Sequence, residues 1–129
     1  MTPDAAIAML DRQLARHGED IVISRVVKRG GVNVTVSVTC RAFVRAVSAD
    51  EIAGKITVDD LKVIISPTQI VAAGWPGTDE NIIAGNNVDQ RIPKSSDKVL
   101  VQGRPREIKA PKPKLLNGAW VRSDMVVAG

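Results

Sequence analysis

The chain has 129 residues, is 44% hydrophobic and carries a formal charge of +4. A chain of this length and aliphatic content buries one core, which predicts a single domain over residues 1–129 and excludes disorder along the whole length. Aromatic residues are 2% of the sequence, namely Trp75, Trp120 and Phe43 with no Tyr, so stacking on unpaired bases or sugar rings has almost no side chains to work with.

The charge is unevenly spread. Residues 91–129 hold nine Lys and Arg against three Asp and Glu, whereas residues 1–90 hold nine against eleven. Cys40 is the single cysteine, so an internal disulfide is excluded and a reduced, cytoplasmic origin is the simpler expectation. No apolar stretch is long enough to cross a bilayer, and the first residues lack the basic-then-apolar layout of a secretion signal. A soluble protein with no membrane partner is therefore expected.

In chain order, Thr2 is placed to cap a helix with Pro3 in its first turn, and Gly18 follows His17 as a stop, which predicts a helix over 3–17. Ile7, Leu10 and Leu14 recur at helical spacing with Ala6 and Met9 beside them, so one stripe must pack against a sheet or a neighbouring subunit. Residues 21–28 are β-branched and read as a strand, and Gly30-Gly31 supply the positive φ of a hairpin turn. Next, Val32, Val34, Val36, Val38, Cys40, Ala42, Val44 and Ala46 alternate with mostly polar residues, among them Arg41 and Arg45. A period of two puts these sets on opposite faces of one long or bent strand, apolar side inward.

Residues 47–60 lack alternation and read as a loop in which Asp59 and Asp60 are solvated. A strand over 61–66 and a short helical turn ending at Gly74 follow, after which Trp75-Pro76-Gly77 turns the chain into a second long loop, with a small hairpin at its centre. Residues 98–102 and 106–110 form a hairpin around Gly103-Arg104-Pro105. Pro111-Lys112-Pro113-Lys114 reads as an extended basic connector, Asn117-Gly118 as a turn and 120–127 as the closing strand. The fold expected is mainly β (α+β): a small barrel or sandwich of about six strands, with an N-terminal helix and long loops over 47–60 and 75–96.

The sequence offers no catalytic constellation. His17 is the single histidine and sits near a helix C-terminus, where a cation is favoured. Glu19 and Asp20 read as a helix-end charge cluster, Cys40 as a core residue, and Ser66 lacks the glycine-flanked elbow that exposes a nucleophile. No phosphate loop or zinc spacing is present, so neither enzymatic activity nor a cofactor or metal is expected.

Three segments carry a resemblance: Ser66-Pro-Thr-Gln-Ile-Val-Ala-Ala-Gly-Trp-Pro-Gly, Asp97-Lys-Val-Leu-Val-Gln-Gly-Arg-Pro-Arg-Glu-Ile, and Gly118-Ala-Trp-Val-Arg-Ser-Asp-Met-Val-Val-Ala-Gly. With a helix that ends in Arg16-His-Gly-Glu-Asp, they resemble the small head-tail connector proteins of tailed bacteriophages, in particular the head-closure or stopper family. The chain departs from that pattern in a longer stretch over 78–92 and in Ser95-Ser96 before Asp97, where a turn glycine is more usual. The resemblance implies a non-enzymatic structural protein of the virion neck, assembled in the host cytoplasm and closed into a homo-oligomeric ring, hexamer or dodecamer. Adaptor and portal proteins would lie above it, tail-terminator or tail-tube proteins below, and packaged double-stranded DNA in its lumen, met without sequence specificity.

On that reading Arg41, Arg45, Arg104, Arg106, Lys112 and Lys114 are candidates for DNA-channel or partner contact. The candidate gating or docking residues are Asp50, Glu51, Lys55 and Asp59 in the first long loop, and Trp75, Asn86, Asn87 and Lys94 in the second. The alternatives are a tail-terminator ring protein and a nucleic-acid-binding β-barrel, the latter disfavoured by the shortage of aromatics.

Overall fold

The computed structural model describes residues 1–77 and 89–129. Helix α1 (Pro3–His17) starts where the Thr2 hydroxyl accepts the Ala5 amide hydrogen at 3.2 Å, and it ends with the Gly18 amide donating to Leu14 O at 2.9 Å. Gly18 has an ordinary extended backbone, so φ is not why it is glycine. A Cβ there would lie 2.5 Å from the Leu14 carbonyl oxygen and 2.8 Å from that of Ala42, closer than atoms can approach. The residue lets the helix end press onto the sheet. Glu19 and Asp20 then open the first strand and are not part of the helix end.

Strands β1 (Glu19–Arg29) and β2 (Val32–Ala46) form a hairpin in unbroken antiparallel register from Glu19↔Ala42 to Arg29↔Val32. At Ala42 strand β2 changes partner and pairs through Ala46 with β3 (Leu61–Ile65). β4 (Lys98–Val101) lies on the other side of β1, β5 (Arg104–Ala110) beside β4, and β7 (Ala119–Val127) beside β5. β7 also pairs with β3, from Leu61↔Val127 to Ile65↔Ser123, so six antiparallel strands close on themselves. The architecture is a small closed barrel with an N-terminal helix. Closure removes most of the free edges that an open sheet would expose.

A seventh strand, β6 (Pro113–Leu116), pairs with the first half of β7 and prolongs the hairpin beyond the barrel wall. The basic segment read as an extended connector is thus paired from Pro113 onward, while Lys112, Pro113 and Lys114 stay exposed to solvent as expected. The hairpin turn is Asn117-Gly118, both at positive φ (50° and 79°), the geometry that matches a tight hairpin to the twist of its strands.

The barrel interior is filled by Ile21, Ile23, Val38, Cys40, Ala42, Val63, Ile65, Val99, Val101, Ile108, Met125 and Val127. The alternation read along β2 holds from Val34 to Val44, while Val32 and Ala46 at its ends are exposed. Burial pushes the Cys40 thiol up to about 12, which leaves it protonated and inert at neutral pH. Helix α2 (Thr68–Ala73) buries Ile70 against the same core.

α1 packs in cis on the outside of the barrel through Leu10 and Leu14. It is fastened where Ser66 Oγ and Thr68 Oγ1 donate to the two oxygens of Asp11, at 2.5 and 2.6 Å. Among the described residues no helix is long and apolar enough to cross a membrane.

Candidate functional site

The two long loops leave a common frame but are fastened differently. On the inward face of β1, the run Ile21, Ile23, Arg25, Val27 places a guanidinium where the pattern calls for an aliphatic side chain. Arg25 is 6% exposed and Asp97 fully buried, and they form a two-pronged pair, Nε to Oδ1 and Nη2 to Oδ2, both 2.8 Å. Two further guanidinium hydrogens reach Gln90 O at 2.6 Å and Ile92 O at 3.2 Å. Asp97 also accepts the Lys94 amide hydrogen at 3.0 Å. The guanidinium stacks on the Trp75 ring, 4.5 Å from its centre, and Trp75 Nε1 donates to Val36 O at 3.1 Å.

Arg25 thus touches both roots of the second loop, Trp75 on one side and 90–97 on the other. Arg29 adds a bond from Nη2 to Pro76 O at 3.2 Å. Within the returning root, Arg91 grips Asp89 with two hydrogen bonds of 3.1 and 3.0 Å, and this contact holds the Asp89 carboxyl below its ordinary range. Trp75, expected as a gating or docking residue, is 3% exposed and belongs to the interior. An indole with one apolar face and one donor is better spent there, beneath a buried cation. Lys94 is exposed. The expected central hairpin, with Asn86 and Asn87, lies outside the described residues.

The first loop is folded onto the barrel. It contains one 3-10 turn, Ala49–Glu51, and its Val47 and Ile56 pack against Val126 in a small second core. Glu51 Oε1 accepts the Ser48 amide and hydroxyl at 2.8 and 2.9 Å, Arg45 reaches both carboxylate oxygens at 2.8 and 3.2 Å, and Lys62 donates to Oε2. Arg45 first, then Lys62 and the Ser48 amide, hold the Glu51 carboxyl far below the usual carboxylate range.

Asp60 closes the loop. It is buried, not solvated as its sequence context suggested, and it accepts from Thr57 N at 2.9 Å, Lys109 Nζ at 2.9 Å and Gly129 N at 3.2 Å. Burial alone would raise its pKa, but the bonds from Lys109 and the two amides outweigh it and lower the value. Asp50, Lys55 and Asp59 face solvent.

The six basic candidates differ in how far their charge is already used within the fold. Arg106 is 8% exposed and is spent on Val101 O and Ala128 O, at 3.3 and 3.2 Å, so it is a structural residue and not a channel contact. Arg45 is held by Glu51. Arg41 is half-buried, its Nε donating to Leu14 O at 3.1 Å as a cap on α1 and its Nη1 to Asp20 at 3.3 Å. Arg104, Lys112 and Lys114 remain exposed, but Arg104 opens β5 while the lysines flank the start of β6.

Arg25, Asp97, Lys62 and Lys109 were missed by motif reading. A charge at an inward position of an alternating strand was the available signal for Arg25. Among the described residues no group of three or more His, Cys, Asp or Glu is arranged to hold a metal. Comparison with protein families, with curated proteins and with solved structures finds no match for this chain.

Proposed function

We propose that this protein is a structural component of the neck of a tailed phage, a head-closure or stopper ring that seals the portal-adaptor channel after DNA packaging and gives the tail a docking surface. One observation carries the reading. The three segments through which the chain resembles head-tail connectors supply six of the eight buried polar or tryptophan side chains among the described residues, Ser66 and Trp75, then Asp97 and Arg106, then Trp120 and Ser123, with Arg25 and Asp60 outside them. The likeness therefore includes interior residues of the fold, and two of them, Trp75 and Asp97, hold the roots of the second loop against Arg25.

A gate needs a loop that projects from rigid roots. The loop over 75–96 has such roots at Arg25, whereas the loop over 47–60 is bound down at Glu51 and Asp60. This contrast supports 75–96, of which residues 78–88 lie outside the described residues, over 47–60 as the proposed gate, and suits the exposed Asp50, Lys55 and Asp59 to a partner-facing role. On this reading the protein catalyses nothing. Any DNA in the lumen meets phosphate contacts from several protomers, because a packaged genome presents no fixed register for base readout.

Electron cryomicroscopy of particles from a lysate with a null mutation in the gene tests the proposal. Filled or leaked heads without tails, converted to finished particles by the wild-type copy, are expected. Finished tailed particles without complementation would overturn it.

A further inference from the structure

A cleft of about 650 Å³ runs between α1 and the outer face of the barrel. One wall is the helix face carrying Met9, Arg12 and Arg16, and the floor and far wall are Phe43, Ile64 and Arg122 from β2, β3 and β7. Met9 is 41% and Phe43 38% exposed, so the cleft offers apolar surface to solvent. Its rim carries three arginines and His17, and among the described residues no carboxylate lines it. Arg122 is paired with Asp124 at 2.7 Å, but Arg12 and Arg16 make no ion pair among the described residues. Their charge is uncompensated beside an apolar floor.

We propose that this cleft docks a short acidic segment of a partner protein, one that seats a large apolar side chain against Phe43, Met9 and Ile64 and sets carboxylates on either side opposite Arg12 and Arg16. Helix positions 9, 12 and 16 recur at the spacing that puts them on one face, so a partner backbone lying along α1 meets all three in turn. Buried apolar anchors supply most of the affinity at such a site, and the arginines supply register and exclude basic competitors. A nucleic-acid backbone would use the arginines but leave the apolar floor wet. A second copy brings the same formal charge of +4 against a positive rim. An acidic peptide satisfies both halves of the cleft. This inference rests on surface chemistry alone and stands or falls separately from the neck reading.

The test is a selection of random dodecapeptides by mRNA display against the full-length protein, followed by mapping of the most enriched peptide on the isotopically labelled protein by nuclear magnetic resonance. Enriched peptides should combine Asp or Glu with Leu, Ile, Met or Phe, and their shifts should centre on α1, Phe43, Ile64 and Arg122. Reversing the charge with Arg12→Glu/Arg16→Glu should weaken the enriched peptide about tenfold or more, because two opposite-charge contacts become repulsive. Phe43→Ser should weaken it similarly. All substituted positions are solvent-accessible, and circular dichroism checks that the fold is kept. Failure to enrich, enrichment of neutral or basic peptides, or shifts elsewhere would overturn the proposal. So would tighter binding of short duplex DNA at these residues that Phe43→Ser leaves unchanged, or self-association that Arg12→Glu/Arg16→Glu abolishes.

Discussion

The two long loops are both fastened by an arginine and a carboxylate, yet the fastenings have different physical characters. Arg25 and Asp97 are withdrawn from water, the guanidinium makes four hydrogen bonds and stacks on an indole ring, and the carboxylate also accepts the Lys94 amide hydrogen. Arg45 and Glu51 sit at the surface, where Arg45 is 36% exposed and shares its carboxylate with Lys62. Desolvating two charges is costly, and it is offset only when geometry is near ideal and every remaining donor finds an acceptor. The buried pair comes close to that condition through the Gln90 and Ile92 carbonyls of the returning root and the Lys94 amide. It specifies one arrangement of the roots, whereas the surface cluster adds a modest, solvent-screened tether.

The largest effect should come from breaking the buried pair on one side. Asp97→Ala leaves the Arg25 guanidinium buried without its counter-charge and frees the Lys94 amide, with an expected loss of about 3–5 kcal/mol in chemical denaturation. The informative companion is Arg25→Met/Asp97→Leu, which removes both charges. It should recover most of that stability if the pair acts by specifying the roots, and hydrogen exchange at 90–97 should then be faster than in the wild type. A double variant as unstable as the single one would show that the roots depend on the ion pair itself.

These contrasts also explain what could be read from the sequence. The alternation along β2, the Gly30-Gly31 and Asn117-Gly118 turns and the capped first helix are local, because period, φ and cap chemistry reside in adjacent residues. They predict a small barrel or sandwich with an N-terminal helix, and the long-range pairing of β3 with β7 is what makes it a barrel. Arg25 meets Asp97 across 72 residues of sequence and Asp60 meets Lys109 across 49, and neither partner is visible to a local pattern. Asp60 therefore reads as a solvated loop residue beside Asp59, and Arg106 as a basic candidate, until closure of the barrel buries them. Trp75 is misread for the same reason: Pro76 and Gly77 mark a turn, while the cation that holds the indole lies on β1. The cleft beside α1 draws its walls from the helix and from three strands, and no window of sequence contains it.

Asp60 offers an intermediate case that sharpens the comparison, since it is buried but its partner Lys109 is 23% exposed. Asp60→Asn keeps the shape and loses the charge, and it presents an amide where two backbone N–H groups and an ammonium need acceptors. A loss of about 2 kcal/mol is expected, because Lys109 can turn to water while the part-buried Thr57 and Gly129 amides lose a charged acceptor. Limited proteolysis should cut within 47–60 in the variant and spare the wild type. Trp75→Phe should cost less, about 1–2 kcal/mol, because the ring under Arg25 is retained and the Nε1 donor to Val36 O is lost. A loss as large as that of Asp97→Ala would mean that the indole, and not the carboxylate, holds the roots.

Glu51→Gln should have the smallest effect, about 1 kcal/mol at neutral pH, since its partners are partly solvated and salt-screened. Its pH dependence separates it from the buried pair more clearly than its size does. The folded state holds Glu51 well below its ordinary range, so folding favours the ionised form, and the unfolded chain takes up the proton first as pH falls. The stabilisation is fully present above the unfolded value of about 4.3 and is lost progressively as pH drops toward the folded one. Denaturation midpoints of wild type and Glu51→Gln should therefore differ at pH 7 and converge in acid, with the variant showing the shallower acid slope. Asp60, also lowered, keeps part of that slope in the variant. Parallel profiles at every pH would mean that Arg45 and Lys62 hold the loop through packing of their aliphatic stems, with the Glu51 charge contributing nothing measurable.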